Sequence, residues 1–596
     1  MKLRTSILSL GLATLLGAPA VADDPLRITD LAPESTFLVI GADDMDATCR
    51  HFEQTPLAGL WRTEAVQDLV GESFSDGIDM MMESLRDEGI ESEPELPRSM
   101  GVAIYGDLDE ETGMSRAFIV GFAEFKDMGD DGDRMMEMLV KEGVDGGMVR
   151  LDRREVRGRE VMVIETVEVE EEDMDDEFGG DFDAMMMLGD PSEMAPDLSV
   201  TYVVRDGGRV IFANDMLAID DALAAVDGDG RDGMSKTEDW RKIEAQLGET
   251  DAYLALLTDP LQELLAPMFM GPLGLVRPMI QEAFGDVRGY GFGATVPADS
   301  AAASMVLTAS ILAPDGKEGL LSLFSEESAT GQAPPAAVAA GATAYGRMNV
   351  DFKKVVPFFN DLAAAIPMGG EEIEMYLDQF GPIMEGALAT MGPAVHTIST
   401  VRRPIEIDSA ATTVVIPTSD PEKVMPLLSM FGPSMGMEPR DFLGETLWSD
   451  PINGVAVAVA GNWVVAGSPR GVEQVMRGLG DRDDDTLAGS PAFRSAVGKL
   501  PKGDSVGWGW VDTVSQYAVQ RETFEEMMDG LGGGAFDEFG PADGLDLSEA
   551  GILVDLMDEL SPKELGKYVG PTVWNFTSDE DGLVYRQWFL APVAGD

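Results

Sequence analysis

The clearest pattern along the chain is a short alternating run that closes on an aspartate. In Thr250–Asp259 (TDAYLALLTD), Tyr253, Ala255 and Leu257 fall on alternate positions and therefore on one face of a strand. Leu247–Asp259 matches three other stretches without gaps: Leu31–Asp43 (LAPESTFLVIGAD), Ala339–Asp351 (AAGATAYGRMNVD) and Leu500–Asp512 (LPKGDSVGWGWVD). Each closing acid, Asp43, Asp259, Asp351 or Asp512, stands where the alternation gives way to an apolar, helix-like stretch. A carboxylate there can accept from a free amide of the first helical turn and favours the positive end of the helix dipole. The four aspartates are thus expected to be caps rather than catalytic acids.

The same order of elements follows each copy. After the first come helical patterns over Asp43–Leu69 and Asp76–Arg86, a hairpin of Val102–Tyr105 and Ala117–Phe122, and a helix near Asp133–Lys141. After the second, Pro260–Phe284 reads as helical, Gly289–Thr295 and Ala303–Leu312 as paired strands, and Lys317–Phe324 as a helix. The later copies are followed by strands at Val395–Val401 and Ala411–Ile416, and at Val573–Phe576 and Leu583–Leu590. Two further hairpins, Val203–Ala213 and Val455–Ala466, each lead into two helices, and one constant offset carries Ala213 onto Ala466 and Leu247 onto Leu500. The pattern describes an α+β protein of two similar lobes, 23–330 and 331–596, each an antiparallel sheet with helices packed on it. The stretch GQAPPAAVAAG marks the join.

Two segments stand outside this plan. Residues 1–22 read as a signal peptide: Lys2 and Arg4 precede the apolar run Ile7–Leu16, and Ala20, Val21 and Ala22 form a small-residue cleavage site before Asp23. Residues 168–197 hold 13 acids, five methionines and no basic residue, which predicts a loop without regular structure. Its methionines could suit a soft metal, although methionine is common throughout and packing is its default role.

Charge narrows the partners. With 108 acidic against 42 basic residues and a net charge of −66, the surface repels nucleic acid and anionic headgroups and attracts cations. No later stretch reaches the length of a membrane-spanning helix, so an exported protein, periplasmic or extracellular, is expected. Cys49 is the sole cysteine, which excludes an internal disulfide framework.

The chemical inventory is mostly negative. His51 and His396 are the only histidines, one in a helical and one in a strand pattern. The strings GPSMG (Gly432–Gly436) and GDSVG (Gly503–Gly507) mimic a nucleophile elbow, but no histidine follows His396 to serve either serine. Phosphate-binding loops of the GxxxxGK type and CxxC pairs are absent from the sequence. Two acidic loops, with Asp227, Asp229 and Asp232 in one and Asp481, Asp483 and Asp485 in the other, resemble loose oxygen cages for calcium. The first fails the EF-hand register, because Arg231 takes a ligand position and Asp232 sits where the turn needs glycine. Six of the eight tryptophans lie in the second lobe; Trp508 and Trp510 share a strand face and could stack on a sugar or apolar ligand, although the core also suits them. Arg347 and Asn349 replace apolar residues in the third copy. Together these four residues are the candidate ligand site.

The leader, the stretches LAPESTFLVIGADDM and TPLAGLW, and the repeated hairpin and helix units resemble a family of exported bacterial proteins known only as a domain of unknown function. That resemblance implies the layout and carries no catalytic residues. The residues are read first as an exported binding or structural protein without catalysis or cofactor. Two alternatives stay open: a carrier of an apolar or carbohydrate ligand near the second-lobe tryptophans, and a carboxylate-based hydrolase.

Overall fold

A computed structural model describes residues 26–70, 97–108, 115–126, 144, 146–167, 198–230, 232–266, 274, 277–300, 303–324, 329, 333–366, 370–405, 409–450, 452–480, 485–530 and 560–592. The signal peptide expected at 1–22, the loop expected at 168–197 and the helices expected at Asp76–Arg86 and Asp133–Lys141 lie outside these residues.

The protein is α+β, and its strands form one large antiparallel sheet. In the first half these are β1 (Thr36–Ala42), β2 (Ser99–Leu108), β3 (Ser115–Glu124), β4 (Val149–Val156), β5 (Arg159–Thr166), β6 (Val200–Asp206), β7 (Arg209–Ala213), β8 (Ala252–Leu257), β9 (Gly289–Thr295) and β10 (Met305–Leu312). In the second half they are β11 (Ala342–Asn349), β12 (Ala394–Val401), β13 (Ala410–Pro417), β14 (Glu438–Phe442), β15 (Glu445–Asp450), β16 (Val455–Ala460), β17 (Trp463–Gly467), β18 (Gly507–Val511), β19 (Thr572–Ser578) and β20 (Gly582–Phe589).

Followed by hydrogen bonding, the first ten strands run β4-β5-β6-β7-β3-β2-β1-β8-β9-β10. The second ten run β14-β15-β16-β17-β13-β12-β11-β18-β19-β20, the same order with every number raised by ten. The two orders meet at β10 and β20, which pair from Met305↔Phe589 to Leu312↔Gly582. Sequence reading expected a separate sheet in each lobe. A free edge at β10 or β20 would expose a row of unpaired amides and carbonyls, and joining the edges satisfies both rows.

One face of the sheet carries both cores. In the first half Val39, Tyr253, Ala255 and Leu257 meet Ile219, Leu223, Trp240 and Ile243 from the helices Met216–Asp227 and Glu238–Leu247. In the second half Tyr345, Ile398, Trp508 and Trp510 meet Val472, Met476 and Phe493 from Pro469–Gly480 and Pro491–Val497. The helices start where side chains can cap them: Asp215 accepts from the Leu217 amide, Thr237 from Trp240 and Ser490 from Phe493. Gly289, Gly291 and Gly293 let Glu238–Leu247 press onto the sheet, because a Cβ on Gly289 or Gly291 would meet Ile243 within 2.8 Å.

Candidate functional site

The four predicted ligand residues converge on one face of β11 and β18. Arg347 stands opposite Trp508, and Tyr345 opposite Trp510. On the other side of β11, Arg347 stands opposite His396. Residues facing one another across antiparallel strands point the same way, so all six belong to the helix-covered face. Phe493 closes over them, with its ring centroid 6.2 Å from Trp508 and 5.5 Å from Trp510. Trp508 and Trp510 are each 5% exposed. The tryptophan pair is core and offers no open stacking surface.

This buried cluster is polar at its heart. The Tyr345 hydroxyl lies 2.8 Å from His396 Nδ1, and Trp508 Nε1 donates to the Ala329 carbonyl at 2.9 Å. Burial, reinforced by the Arg347 charge, lowers His396 to about 4, so the ring is neutral at ordinary pH. Arg347 Nη2 reaches Asn349 Oδ1 at 3.4 Å, whereas its Nε has no partner. Burial pushes the Arg347 guanidinium below its usual range.

The opposite face of the same strands holds an open groove of about 330 Å³, lined by Ala344, Met348, Val395, Thr397, Ser399 and Trp574. Gly346, Gly509 and Trp574 lie side by side on β11, β18 and β19. A Cβ on Gly509 would fall 2.4 Å from Trp574 Cε2, and one on Gly346 3.1 Å from Cζ2, so the indole lies flat across both glycines. Trp574 is half-buried, Thr397 is exposed, and Tyr585 sits 5.9 Å from the indole. An aromatic plane with hydroxyls on its rim suits a sugar ring or a flat apolar ligand. Trp574 is one of the six second-lobe tryptophans but not one of the four candidate residues; the signal that singles it out is a glycine inside each of two neighbouring strands.

A second cavity, of about 560 Å³, lies in the first half against Arg27, Trp240, Glu244 and Tyr253. Arg27 bridges Asp43 at 2.5 Å and Glu244 at 2.6 Å, and the Tyr253 hydroxyl donates to Asp43 at 3.3 Å. Burial raises the Asp43 carboxyl, and the neighbouring Arg27 opposes that rise. Asp43 therefore anchors a network and does not cap a helix. The cap is its neighbour Asp44, which accepts from the Ala47 amide at 2.9 Å.

The other three copies divide. Asp351 accepts from Lys353 N at 3.2 Å and Asp512 from Ser515 N at 3.1 Å, both as caps. Asp259 instead lies inside the first turn of Thr258–Leu265, which has no side-chain cap. The helix begins at Thr258, two residues earlier than expected, which moves that carboxylate past the amides it was expected to bind.

Among the described residues, the first acidic loop shows no gathered cage. Asp227 pairs with Arg159 at 2.8 Å and Asp232 with Lys236 at 2.8 Å, which draws them towards cations of the chain itself. Asp229 joins no cluster of three metal-ligating side chains, and none is found among the described residues. Asp485 is exposed; Asp481 and Asp483 lie outside the described residues.

No protein-family model matches the chain, and no curated protein does. The resemblance to exported proteins of unknown function rests on the residues alone. A solved structure described as crystal form I of TP0453 is similar over 45% of this chain and 82% of its own, at 12% identity and a TM-score of 0.23. A likeness of that size supports no inference about function.

Proposed function

We propose that the chain is an exported, non-catalytic binding protein that takes its ligand in the groove over Gly346 and Gly509, against the indole of Trp574. The observation that carries this reading is the pair of glycines, which seats a large ring flat on the sheet beside an exposed threonine. The volume of about 330 Å³ suits a sugar ring or a small apolar molecule. The two halves, 23–330 and 331–596, are read as a duplication, and this groove lies in the second. Export follows from the leader, and the net charge of −66 disfavours nucleic acid and anionic lipid as partners. Among the described residues, no helix is long and apolar enough to cross a membrane.

A panel of oligosaccharides and alkyl glycosides, titrated against tryptophan emission, tests the reading. At least one ligand should change the emission saturably, and Trp574→Leu should abolish the change. Silence across the panel, or an undiminished response in the variant, would refute it. Amino-terminal sequencing of the exported protein should begin at Asp23. The alternative of a carboxylate-based hydrolase rests on Asp43 and Glu244, both facing Arg27; absence of turnover on glycoside and peptide substrates would retire it.

A further inference from the structure

Where the two halves join, the helix-covered face of the sheet carries a line of polar residues through an otherwise apolar layer. Registration across β12, β11, β18, β19, β20 and β10 aligns His396, Arg347, Trp508, Asn575, Arg586 and Thr308 in one transverse row. Residues in such a row project to the same side of the sheet. Arg347 is 5% and Asn575 7% exposed, and the Arg586 guanidinium is partly buried.

The hydrogen bonding of this row is incomplete. Arg586 Nη2 donates to the Gln246 carbonyl at 2.6 Å, while both polar atoms of the Gln246 side chain lack partners. The Asn575 carbonyl oxygen and Arg347 Nε are likewise buried and unpaired. Among the described residues, neither arginine forms an ion pair. Burial lowers both guanidinium groups from their usual range, and at Arg586 the charge of Asp579 opposes that shift without reversing it.

Other partly buried arginines of this protein are treated differently. Arg27 has Asp43 and Glu244, Arg159 has Asp206 and Asp227, and Arg209 has the buried Glu124. In a chain with 108 acidic and 42 basic residues, carboxylates are plentiful. Two arginines without a close ion pair at the joint of the halves, with only the more distant Asp579 acting on Arg586, are therefore informative. A buried cation without a counter-ion is strongly unfavourable, and an anion supplied from solution removes that penalty.

We propose that the protein binds a small oxyanion, a phosphate or a carboxylate, at the joint between its halves, held by Arg586 and Asn575, with Arg347 beyond Trp508 in the same row. Guanidinium groups suit this chemistry, because their planar donors match the oxygens of either anion. Turning over the Asn575 amide would point its NH2 group, in place of the unpaired oxygen, towards the ligand. This site lies on the opposite side of the sheet from the Trp574 groove and stands independently of it.

Thermal unfolding at fixed ionic strength tests the site, with inorganic phosphate in one arm and succinate in the other against sodium chloride. The wild-type midpoint should rise saturably at low millimolar concentration in at least one arm, and the stronger arm identifies the anion class. Arg586→Gln should weaken the response by about tenfold to a hundredfold, as the loss of a charged hydrogen bond predicts. Asn575→Asp, which places a carboxylate beside Arg586, should raise the midpoint without added anion and remove the response. Should Arg347→Gln fail to fold, the other two variants carry the test. No saturable rise, an equal rise in wild type and variants, or a lower midpoint in Asn575→Asp would overturn the proposal.

Discussion

Gly509→Ala probes the seat of Trp574 most sharply. The added methyl would stand 2.4 Å from Trp574 Cε2 and 2.5 Å from Cζ2 and Nε1, inside the normal separation for carbon atoms. Restoring contact at about 3.5 Å drives the indole back by roughly 1 Å. Overpacking of this kind costs about 1–3 kcal/mol. Alanine offsets part of that, about 0.5–1 kcal/mol, by restricting the unfolded chain more than glycine does. The net loss is then between about 0 and about 2.5 kcal/mol, centred on about 1. At Gly346 the new methyl would stand 3.1 Å from Trp574 Cζ2, so a shift of a few tenths of an ångström relieves it, and Gly346→Ala should be nearly neutral. Urea unfolding of both variants measures the difference. Combining Gly509→Ala with Trp574→Ala should recover most of the loss, because the clash disappears with the ring. Equal stability of the two glycine variants, or strict additivity in the double variant, would refute the flat-ring geometry.

Three further outcomes follow from the cited contacts. Asp44→Ala should cost about 1 kcal/mol as a lost cap, whereas Asp259→Ala should stay within about 0.5 kcal/mol; paired melting curves separate them. His396 is lowered to about 4 from an ordinary 6.5, so the folded state binds its proton less readily than the unfolded chain. Its contribution to stability is complete above 6.5 and is lost as the pH falls towards 4, by about 3 kcal/mol at most; His396→Gln should flatten the stability profile in that window. The melting point should rise with sodium chloride and further with millimolar calcium, since a net charge of −66 repels itself; indifference to both would show that the acidic surface costs little.

Much of the fold was legible because alternation survives wherever one strand face is buried. Residues of the four repeated runs form β1, β8, β11 and β18, and the glycines of β9 stand where a helix presses on the sheet. The hairpins β4–β5 and β14–β15 were not legible. In β4 the run Arg150–Glu155 is exposed throughout and has no apolar face to mark it. Their turns use Arg157-Gly158 and Leu443-Gly444 at positive φ, where asparagine or aspartate would have signalled a hairpin. Pairing of β10 with β20 escaped detection because local pattern carries no record of which distant edge a strand will meet. At the candidate site, Arg347, Asn349, Trp508 and Trp510 did come together, but on the closed side of the sheet. Choosing between the two sides needs the register of β18 against β19, which places Trp574 on Gly509.

Fluorine NMR on protein labelled with 5-fluorotryptophan tests the ligand site most directly. The chain has eight tryptophans, and Trp574→Phe, Trp508→Phe and Trp510→Phe assign the three resonances that matter. On adding a ligand that alters tryptophan emission, the Trp574 resonance should move saturably while those of Trp508 and Trp510 stay in place. Movement of Trp508 or Trp510 with Trp574 unchanged would put the ligand inside the helix-covered core and contradict the account.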